Sequence, residues 1–582
     1  MLSYRKLAMR VLGRPLHTGG GIDSPRPASQ RAAALVLTAA LLTGAAFPAF
    51  ADTYYIEDGD ITISAGKDGN DVTQNEKTTY GDKDTVITNQ KTDKASSNTV
   101  TINAGNDKVE VTLDNVNIKA DSGSALISKG DVTLTLKGDN HLTGGNGGSS
   151  SYGGDGITSS GSLTISGGTV TATGGDSTSS VGSGGSGIYS VSGDVTISGG
   201  TVNANGGDGK NGSGGGSGID SSGGVTVSGG TVTANGGDGG SGSGSHGGNG
   251  IYSSSGVAIS GGAVTANGGD SKDGSGGNGI YSSGGVTISS GSTVTANGGN
   301  GEDGSGGRGI TSNGGVTVSG GTVNAKGGSG KNGNGGDGIR SFNPVAISGG
   351  TVNANGGNSD YSNGGDGIRS LDHVAISGGT VKSNGGSGNL SGGNGIISYD
   401  IDLSGSLELT AKAGSPNGKA LSRVGSELDL NTIKDKLDPG AKVTATDADG
   451  KVIQQVSIPR PVEPEEPSSS SGGGSATSSA PASPLPGLTV TDKSGAVIDF
   501  ISTQSGNTLT VCVGRFTASF RISLAALRQL RAEGIDTITF QTILCSTTLS
   551  LDELLAMGGE DAEVVLTHHI RSSTLTVGGK AV

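Results

Sequence analysis

Acidic and amide side chains recur at two fixed places in a repeat of about 30 residues. One place directly precedes the dipeptide Gly-Ile, and the other follows the last strand-like segment of the unit. Aspartates at the first place are Asp155, Asp337 and Asp366, and those at the second are Asp176, Asp208, Asp238 and Asp270. Oxygen ligands repeated beside glycine turns suit a hard cation, so the pattern predicts Ca²⁺. The alternative is that Asp and Asn occur here because they tolerate turn geometry.

A second set of candidate side chains directly follows Gly-Ile. Its members are Tyr189, Tyr252, Tyr281, Arg340 and Arg369. Tyrosine offers a flat face for stacking on a sugar ring. Two arginines in adjacent units would lie about 5 Å apart and repel each other unless an anion lies between them. A uronate carboxylate bound through two hydrogen bonds would serve, and so would the neighbouring Asp337 or Asp366. Both interpretations stay open.

A third set is the polar row Thr231, Thr233 and Asn235, which recurs as Thr293, Thr295 and Asn297. A flat row of hydroxyls and amides can hydrogen-bond to the hydroxyls of an extended polysaccharide. The alternative is a solvated β-face whose side-chain ladders stabilise the stack.

Enzyme motifs are missing from the sequence. It contains no His-Glu-x-x-His metal helix and no Gly-Lys-Ser/Thr phosphate loop, and its six histidines are scattered. Glycosidases need two carboxyls about 5 to 10 Å apart, a spacing that stacked units could supply. We therefore expect a non-catalytic protein, with polysaccharide lyase or hydrolase activity as the lesser alternative.

The elements that carry these residues are repeats. Gly-Ile occurs nine times between Gly156 and Gly395, at spacings of 28 to 32 residues. Within a unit, three short segments alternate aliphatic and polar residues, as in Val225–Ser228 and Thr231–Asn235. This alternation is typical of strands. Three short strands in a fixed period of about 30 residues predict one coil of a parallel β-helix.

Burial explains why the units must stack. In one unit the aliphatic set is Ile219, Val225, Val227, Val232 and Ala234. One coil cannot bury five such side chains, but coils stacked about 4.8 Å apart form a continuous narrow core. The glycine-rich segments between units are expected to project as loops on one edge.

Composition agrees with this architecture. Of 582 residues 116 are glycine, 3% are aromatic and none is tryptophan, which is too few large side chains for a compact globular core of this size. A basic leader, the apolar run Ala32–Leu42 and the site Ala49-Phe50-Ala51 predict a signal peptide over residues 1–51, with a retained membrane anchor as the alternative. The product is expected to be secreted or held at the cell surface. Without the leader the chain has 32 basic and 51 acidic residues, which argues against nucleic acid as a partner.

The sequence predicts further segments around the repeats. These are an N-terminal segment (52–98), the β-helix (99–413), a transition segment (414–458), a Pro/Ser/Gly-rich linker (459–486) and a small α+β module (487–582). Both cysteines, Cys512 and Cys545, lie in the module and could form a disulfide in an exported protein.

Particular phrases carry a family resemblance. Gly-Gly-Asp-Gly-Ile-Arg-Ser, at Gly335–Ser341 and Gly364–Ser370, together with Val111–Ile118, resembles the clostridial carbohydrate-binding β-helix family. The resemblance implies a right-handed parallel β-helix, bound calcium and affinity for acidic plant polysaccharide such as polygalacturonate, without hydrolysis. The loops are longer and richer in glycine here. The alternative function is a surface adhesin or spacer rod that displays another binding module.

Overall fold

The structure is a computed structural model that divides into two compact units, Met1–Glu463 and Pro464–Val582. It describes residues 52–148, 152–178, 182–242, 244–459, 487–492, 496–498, 500–505, 507–513, 517–542, 546–557, 562–568 and 573–581. The predicted signal peptide and, apart from residue 459, the predicted linker lie outside these ranges. No helix among the described residues has the length and apolar character needed to cross a membrane.

The first unit is a parallel β-helix of about 15 turns, in which one continuous sheet contains 38 strands. Through the repeats, the strands pair in parallel with their equivalents in the coils before and after. Ile219–Ser221, for example, pairs with Ile188–Ser190 on one side and Ile251–Ser253 on the other. The predicted fold class is therefore confirmed.

The three strands of the coils form three rows. The first row is Ile157–Ser160, Ile188–Ser190, Ile219–Ser221, Ile251–Ser253, Ile280–Ser282, Ile310–Ser312, Ile339–Ser341, Ile368–Ser370, Ile396–Ser398 and Leu421–Arg423. The second is Val195–Ile197, Val225–Val227, Gly256–Ile259, Gly285–Ile288, Val316–Val318, Val345–Ile347, His373–Ile376 and Asp400–Leu403. The third is Thr201–Asn205, Thr231–Asn235, Gly262–Asn267, Ser292–Asn297, Thr322–Lys326, Thr351–Asn355, Thr380–Asn384, Glu408–Lys412 and Lys442–Thr446. The longer strand Leu163–Thr173 supplies both the second and the third row in its coil.

The stack extends beyond residues 99–413 in both directions. Its N-terminal elements are the strands Thr53–Tyr55, Ile61–Ala65, Asn70–Gln74, Lys77–Asp82, Val86–Thr88, Val100–Asp114, Asn117–Lys119 and Leu126–Thr143, with a 3₁₀ helix at Ile56–Asp58. Its last elements are the strand Ser426–Glu427, the 3₁₀ helix Leu430–Lys436 and the strand Val452–Ser457. Val452–Ser457 pairs antiparallel with Lys442–Thr446, which ends the parallel stacking.

The core of the β-helix is a ladder of aliphatic side chains. Ile219, Val225, Val227, Val232 and Ala234 are each at most 1% exposed, as the sequence predicts. The serine two residues after the first-row isoleucine also faces inward in nine coils, from Ser159 to Ser398, which alternation in the sequence did not single out. Ser221 is fully buried, and its Oγ donates to the carbonyl oxygens of Gly193 and Gly224 at 3.1 and 3.3 Å.

The glycine-rich segments differ from the projecting loops that the sequence predicts. At the bases of these segments, backbone hydrogen bonds between glycines join successive coils. We call this series of hydrogen bonds the glycine zigzag. Gly299 donates to the carbonyl of Gly277, Gly307 to Gly299 and Gly328 to Gly307, each at 2.8 Å. A Cβ on Gly307 would lie 1.8 Å from the Gly277 oxygen. Glycine is needed here because the backbones approach too closely for any side chain.

The second unit is a small α+β module, as predicted. Its strands are Leu488–Thr491, Ile501–Ser505, Thr508–Cys512, Ala518–Ser523, Thr537–Gln541, Ser546–Ser550, Glu563–His568, Ser573–Val577 and Lys580–Ala581, and its helices are Leu524–Ala532 and Leu551–Leu555. The strands form a five-stranded and a four-stranded sheet. Ser523 Oγ accepts the Ala526 N–H and caps the first helix. Cys512 is a free cysteine, and Cys545 lies outside the described residues.

The buried His568 makes this module sensitive to acid. Its ring is 0% exposed, lies 4.8 Å from the Phe540 ring and has Nε2 at 2.9 Å from Thr547 Oγ1. Burial lowers its pKa below the ordinary value of 6.5. The folded module therefore favours the neutral imidazole. The contribution of His568 to the free energy of unfolding is present above about pH 6.5, and it is lost as the pH falls below that value.

We expect the His568→Gln variant to lose less stability than the wild type between pH 7.5 and pH 5. Thermal unfolding of the full chain, followed by a probe in the module, measures this difference. A parallel decline of both proteins would show that His568 does not control the acid response.

Candidate functional site

In the nine first-row strands from Ile157–Ser160 to Ile396–Ser398, the residue between the buried isoleucine and the buried serine lies on the outer side of the strand. We call this row the Gly-Ile face. In spatial order its members are Thr158, Tyr189, Asp220, Tyr252, Tyr281, Thr311, Arg340, Arg369 and Ile397. Parallel pairing places neighbours about 4.8 Å apart. Residues far apart in sequence are thereby brought into one line.

Two tyrosines of the Gly-Ile face stack on each other. The rings of Tyr252 and Tyr281 stack with centroids 5.3 Å apart and planes inclined by 7°. Both residues are partly exposed. Tyr189 does not join them, since Asp220 lies between it and Tyr252. The structure thus brings together two of the three predicted tyrosines.

The arginines lie further along the same face and contact the aspartates that precede Gly-Ile. Asp337 Oδ2 lies 3.5 Å from Arg308 Nε and 3.6 Å from Arg340 Nη1, so two cations share one carboxylate. Arg369 Nη1 lies 3.1 Å from Asp366 Oδ2, a one-to-one pair. The structure therefore shows the pairing with Asp337 and Asp366 that the sequence left open as the alternative to a bound uronate. Arg308 was missed in the sequence, although it occupies the place that precedes Gly-Ile.

The cluster keeps unused hydrogen-bond donors. The Nε atoms of Arg340 and Arg369 are buried and have no hydrogen-bond partner among the described residues. The Arg340 guanidinium also lies 5.3 Å from the centre of the Phe342 ring. Burial, followed by the nearby Arg308 cation, lowers the pKa of the Arg340 guanidinium, while Asp337 opposes this.

The predicted metal ligands that precede Gly-Ile have protein partners. Asp155 accepts hydrogen bonds from the Ser186 N–H at 2.7 Å and from Thr158 Oγ1 at 2.6 Å. Asp337 accepts the Asp366 N–H at 2.9 Å, and Asp366 accepts the Asn394 N–H at 2.6 Å. They connect successive coils, and Asp155 lies several coils away from the other two. Among the described residues no three His, Cys, Asp or Glu side chains converge as a metal site.

A second aspartate row follows the third strands and is mostly exposed. Asp208 N–H donates to Asp176 Oδ1 at 3.0 Å, Asp238 N–H to Asp208 Oδ1 at 2.9 Å, and Asp270 N–H to Asp238 Oδ1 at 2.8 Å. One carboxylate oxygen of Asp208 and one of Asp238 has no hydrogen-bond or ion-pair partner in the described part of the chain. Partial burial, followed by the charges of Asp208 and Asp270, raises the pKa of Asp238 against its hydrogen bond from Asp270.

Within the polar row of the third strands, asparagine side chains hydrogen-bond to one another between coils. Asn235 Nδ2 donates to Asn205 Oδ1 at 2.8 Å, and Asn235 Oδ1 accepts from Asn267 Nδ2 at 2.8 Å. Thr231 is exposed and Thr233 is partly buried on the same face. For Asn235 the geometry favours the side-chain ladder that the sequence left as the alternative.

A carboxyl with a shifted pKa also lies on the Gly-Ile face. Burial, followed by the charge of Asp155, raises the pKa of Asp220 to about 6 from its ordinary 3.8. Burial raises the pKa of Asp155 as well. The phenol of Tyr189, between them, has a raised pKa from burial and from the two carboxylates. Asp220 was not a sequence candidate, because its neighbours in the row are set only by the register of the coils.

Comparisons with known proteins identify the repeat. The family described as "Beta helix repeat" matches residues 163–187, 195–217, 225–249 and 345–368. No curated protein and no solved structure matches the chain.

Proposed function

We propose that this chain, a β-helix repeat protein, binds an acidic extracellular polysaccharide along the Gly-Ile face and does not cleave it. One observation carries the proposal. The stacked pair Tyr252 and Tyr281 lies on the same row as a cluster in which Arg308 and Arg340 share the single carboxylate of Asp337.

The aromatic pair supplies a binding platform. The two rings stack on each other, so each keeps one outer face and its edge for the C–H face or the hydroxyls of a sugar ring, and the stacked pair needs little rearrangement on binding. An extended glycan that runs along the stack would then reach the arginines, since the row continues from Tyr281 through Thr311 to Arg340.

The arginine cluster supplies selectivity for acidic sugars. Two guanidinium groups around one carboxylate leave an excess positive charge, and the side chains of Arg308 and Arg340 stay 36% and 22% exposed. A uronate carboxylate matches the planar, forked geometry of a guanidinium. The overall negative charge of the chain would otherwise repel such a polymer.

Calcium is a separate part of the proposal. The free carboxylate oxygens of Asp208 and Asp238 are about one strand spacing apart on an exposed row, beside glycine carbonyls. Ca²⁺ accepts such oxygens in flexible geometry. We therefore propose this row, rather than the aspartates paired with arginines, as the place where calcium would bind.

A spacer rod is the second candidate function. It is favoured by the unbroken sheet of 38 strands and by the separate second unit. A rod of this kind needs no ligand on the Gly-Ile face and would present the second unit instead. Export to the cell surface, which both functions require, is proposed from the leader alone.

Affinity electrophoresis of the full chain against polygalacturonate and a neutral glycan tests the proposal. We expect Arg340→Ala to weaken polygalacturonate binding by about tenfold or more, because a hydrogen-bonded charged contact is worth about 1.5 to 3 kcal/mol. Lys326→Ala is the matched control, since it removes an exposed cation from the third-strand row.

Several outcomes would contradict the proposal. Equal losses of polygalacturonate affinity in the two variants would indicate general charge attraction. If the wild type is not retarded in any gel, glycan binding is contradicted and the spacer rod becomes the favoured function. Release of reducing ends or unsaturated products would support an enzyme instead. Retardation that is lost on adding a chelator and restored by Ca²⁺ would support the calcium site, and Asp238→Asn should then weaken it.

A further inference from the structure

A cleft of about 250 Å³ lies where the Gly-Ile face approaches its C-terminal end. Arg369 and its neighbour in the row, Ile397, contribute to its wall. The remaining apolar lining comes from Leu371, Tyr399 and Val424. The cleft is therefore continuous with the proposed glycan-binding surface.

The lining is unusually apolar for an exposed surface. Tyr399 is 65% exposed and Val424 is 69% exposed. Large exposed apolar side chains grouped beside a charged residue are typical of a ligand-binding groove. An aromatic ring next to aliphatic side chains can enclose a methyl group as well as the face of a sugar.

The turn that carries Val424 is strained. Val424 and Gly425 form a two-residue connection between Leu421–Arg423 and Ser426–Glu427, and their φ angles are 49° and 78°. Such a turn favours Asn-Gly, and a β-branched residue at positive φ is disfavoured. The Val424 N–H donates to the Ser398 carbonyl at 3.1 Å, which holds the turn over the preceding coil. The structure thus keeps an exposed valine where asparagine would fit the backbone better.

The electrostatics of the cleft differ from those of the Arg308–Arg340 cluster. Arg369 has its own carboxylate, Asp366, at 3.1 Å, so the pair carries no excess charge. The buried Nε of Arg369 still has no hydrogen-bond partner among the described residues. The Arg369 side chain is nevertheless 36% exposed, so its guanidinium can also donate to a neutral carbonyl oxygen in the cleft. A free carboxylate would lose hydration against Ile397 and Val424 without a compensating cation.

We propose that this cleft binds a sugar residue that carries a short ester, either a methyl ester of a uronic acid or an O-acetyl group. The inference rests on the proposed function of the Gly-Ile face. The ester carbonyl accepts from the exposed part of the Arg369 guanidinium, and the ester methyl packs against Tyr399 and Val424. The protein then prefers a partly esterified acidic polysaccharide to its fully unesterified form.

The test compares three forms of polygalacturonate of matched length: unesterified, partly methyl-esterified and partly O-acetylated. We expect wild-type full chain to bind one of the two esterified forms at least about fivefold more tightly than the unesterified form. The arm that shows the preference identifies the ester. Val424→Asn should abolish this preference, keep the affinity for the unesterified form and leave the melting temperature unchanged or higher, because asparagine tolerates positive φ. Val452→Asn, at another exposed valine, should keep the preference.

The outcomes separate the two proposals. Equal wild-type binding of all three polymers, or a preference that survives in Val424→Asn, would overturn the proposal of an ester-binding cleft. Glycan binding along the Gly-Ile face would still be supported. Binding of none of the three would overturn the proposed function itself, and the cleft with it. A purely structural role for Val424 predicts the opposite pattern, with altered stability and unaltered preference.

Discussion

Replacing Gly307 by alanine is expected to destabilise the β-helix by at least about 3 kcal/mol, at the upper end of what overpacking does. The added Cβ would lie 1.8 Å from the carbonyl oxygen of Gly277. Neither backbone can move away freely, because Gly307 N–H donates to Gly299 and Gly307 O accepts from Gly328, both at 2.8 Å. The clash therefore has to break hydrogen bonds between coils.

Gly199→Ala is the matched control for this prediction. No atom lies within 4 Å of a Cβ built on Gly199, and its φ is not positive. Urea and thermal unfolding of both variants, with limited proteolysis of the glycine segments, should show an early transition and new cleavage only in Gly307→Ala. Similar stability of the two variants would mean that the glycine zigzag does not hold the coils together.

Replacing Asp220 by asparagine is expected to stabilise the chain above pH 6 by on the order of 3 kcal/mol. Burial, followed by the charge of Asp155, raises the pKa of Asp220 from 3.8 to about 6. A difference of one in pKa between the folded and unfolded states corresponds to about 1.36 kcal/mol. The folded state thus holds the proton more tightly than the unfolded chain. Wild-type stability falls as the pH rises from about 4 to about 6, and it changes no further from this cause above that range.

The pH profile distinguishes this effect from a general gain in packing. Wild type and Asp220→Asn should have similar melting temperatures near pH 3 and diverge up to about pH 6. The melting temperature of Asp139→Asn, a variant at an exposed aspartate elsewhere in the β-helix, should follow that of the wild type at every pH. A constant difference between wild type and Asp220→Asn at every pH would contradict the electrostatic cause.

The charge of Asp220 also bears on the proposed function, because its ionised carboxyl would repel an acidic glycan on the Gly-Ile face. It lies on the Gly-Ile face next to Tyr252, so its carboxyl faces the expected path of the glycan. A carboxyl whose ionised form destabilises the fold is more typical of a binding or catalytic surface than of a structural contact.

Much of the fold could be predicted because β-helices repeat a local rule. Period-two alternation assigns Val225 and Val227 to the inside and Thr226 to the outside without knowledge of any other coil. The same rule located the tyrosines and arginines that follow Gly-Ile. It did not locate the buried Ser221, since serine is polar and its partners, the carbonyls of Gly193 and Gly224, lie across a turn or in the preceding coil.

The candidate site could be predicted only in part. The sequence placed Arg340 and Arg369 on one face with Asp337 and Asp366 nearby. It did not show that Arg308 also reaches Asp337, because the contact joins two successive coils. Nor could it distinguish glycine loops that project from glycine segments that are hydrogen-bonded into the stack, since both need the same composition.

The sequence by itself determined the strands, their inward and outward faces and the residue types along each row, because alternation and a fixed period act within one coil. The tertiary structure decided which rows become a site. Distances between side chains in different coils depend on register, on the closely packed glycines and on burial, which only the assembled stack defines. Three features therefore depend on the stacking of the coils. They are the contact of two arginines with one carboxylate, the raised pKa of Asp220 and the cleft beside Val424.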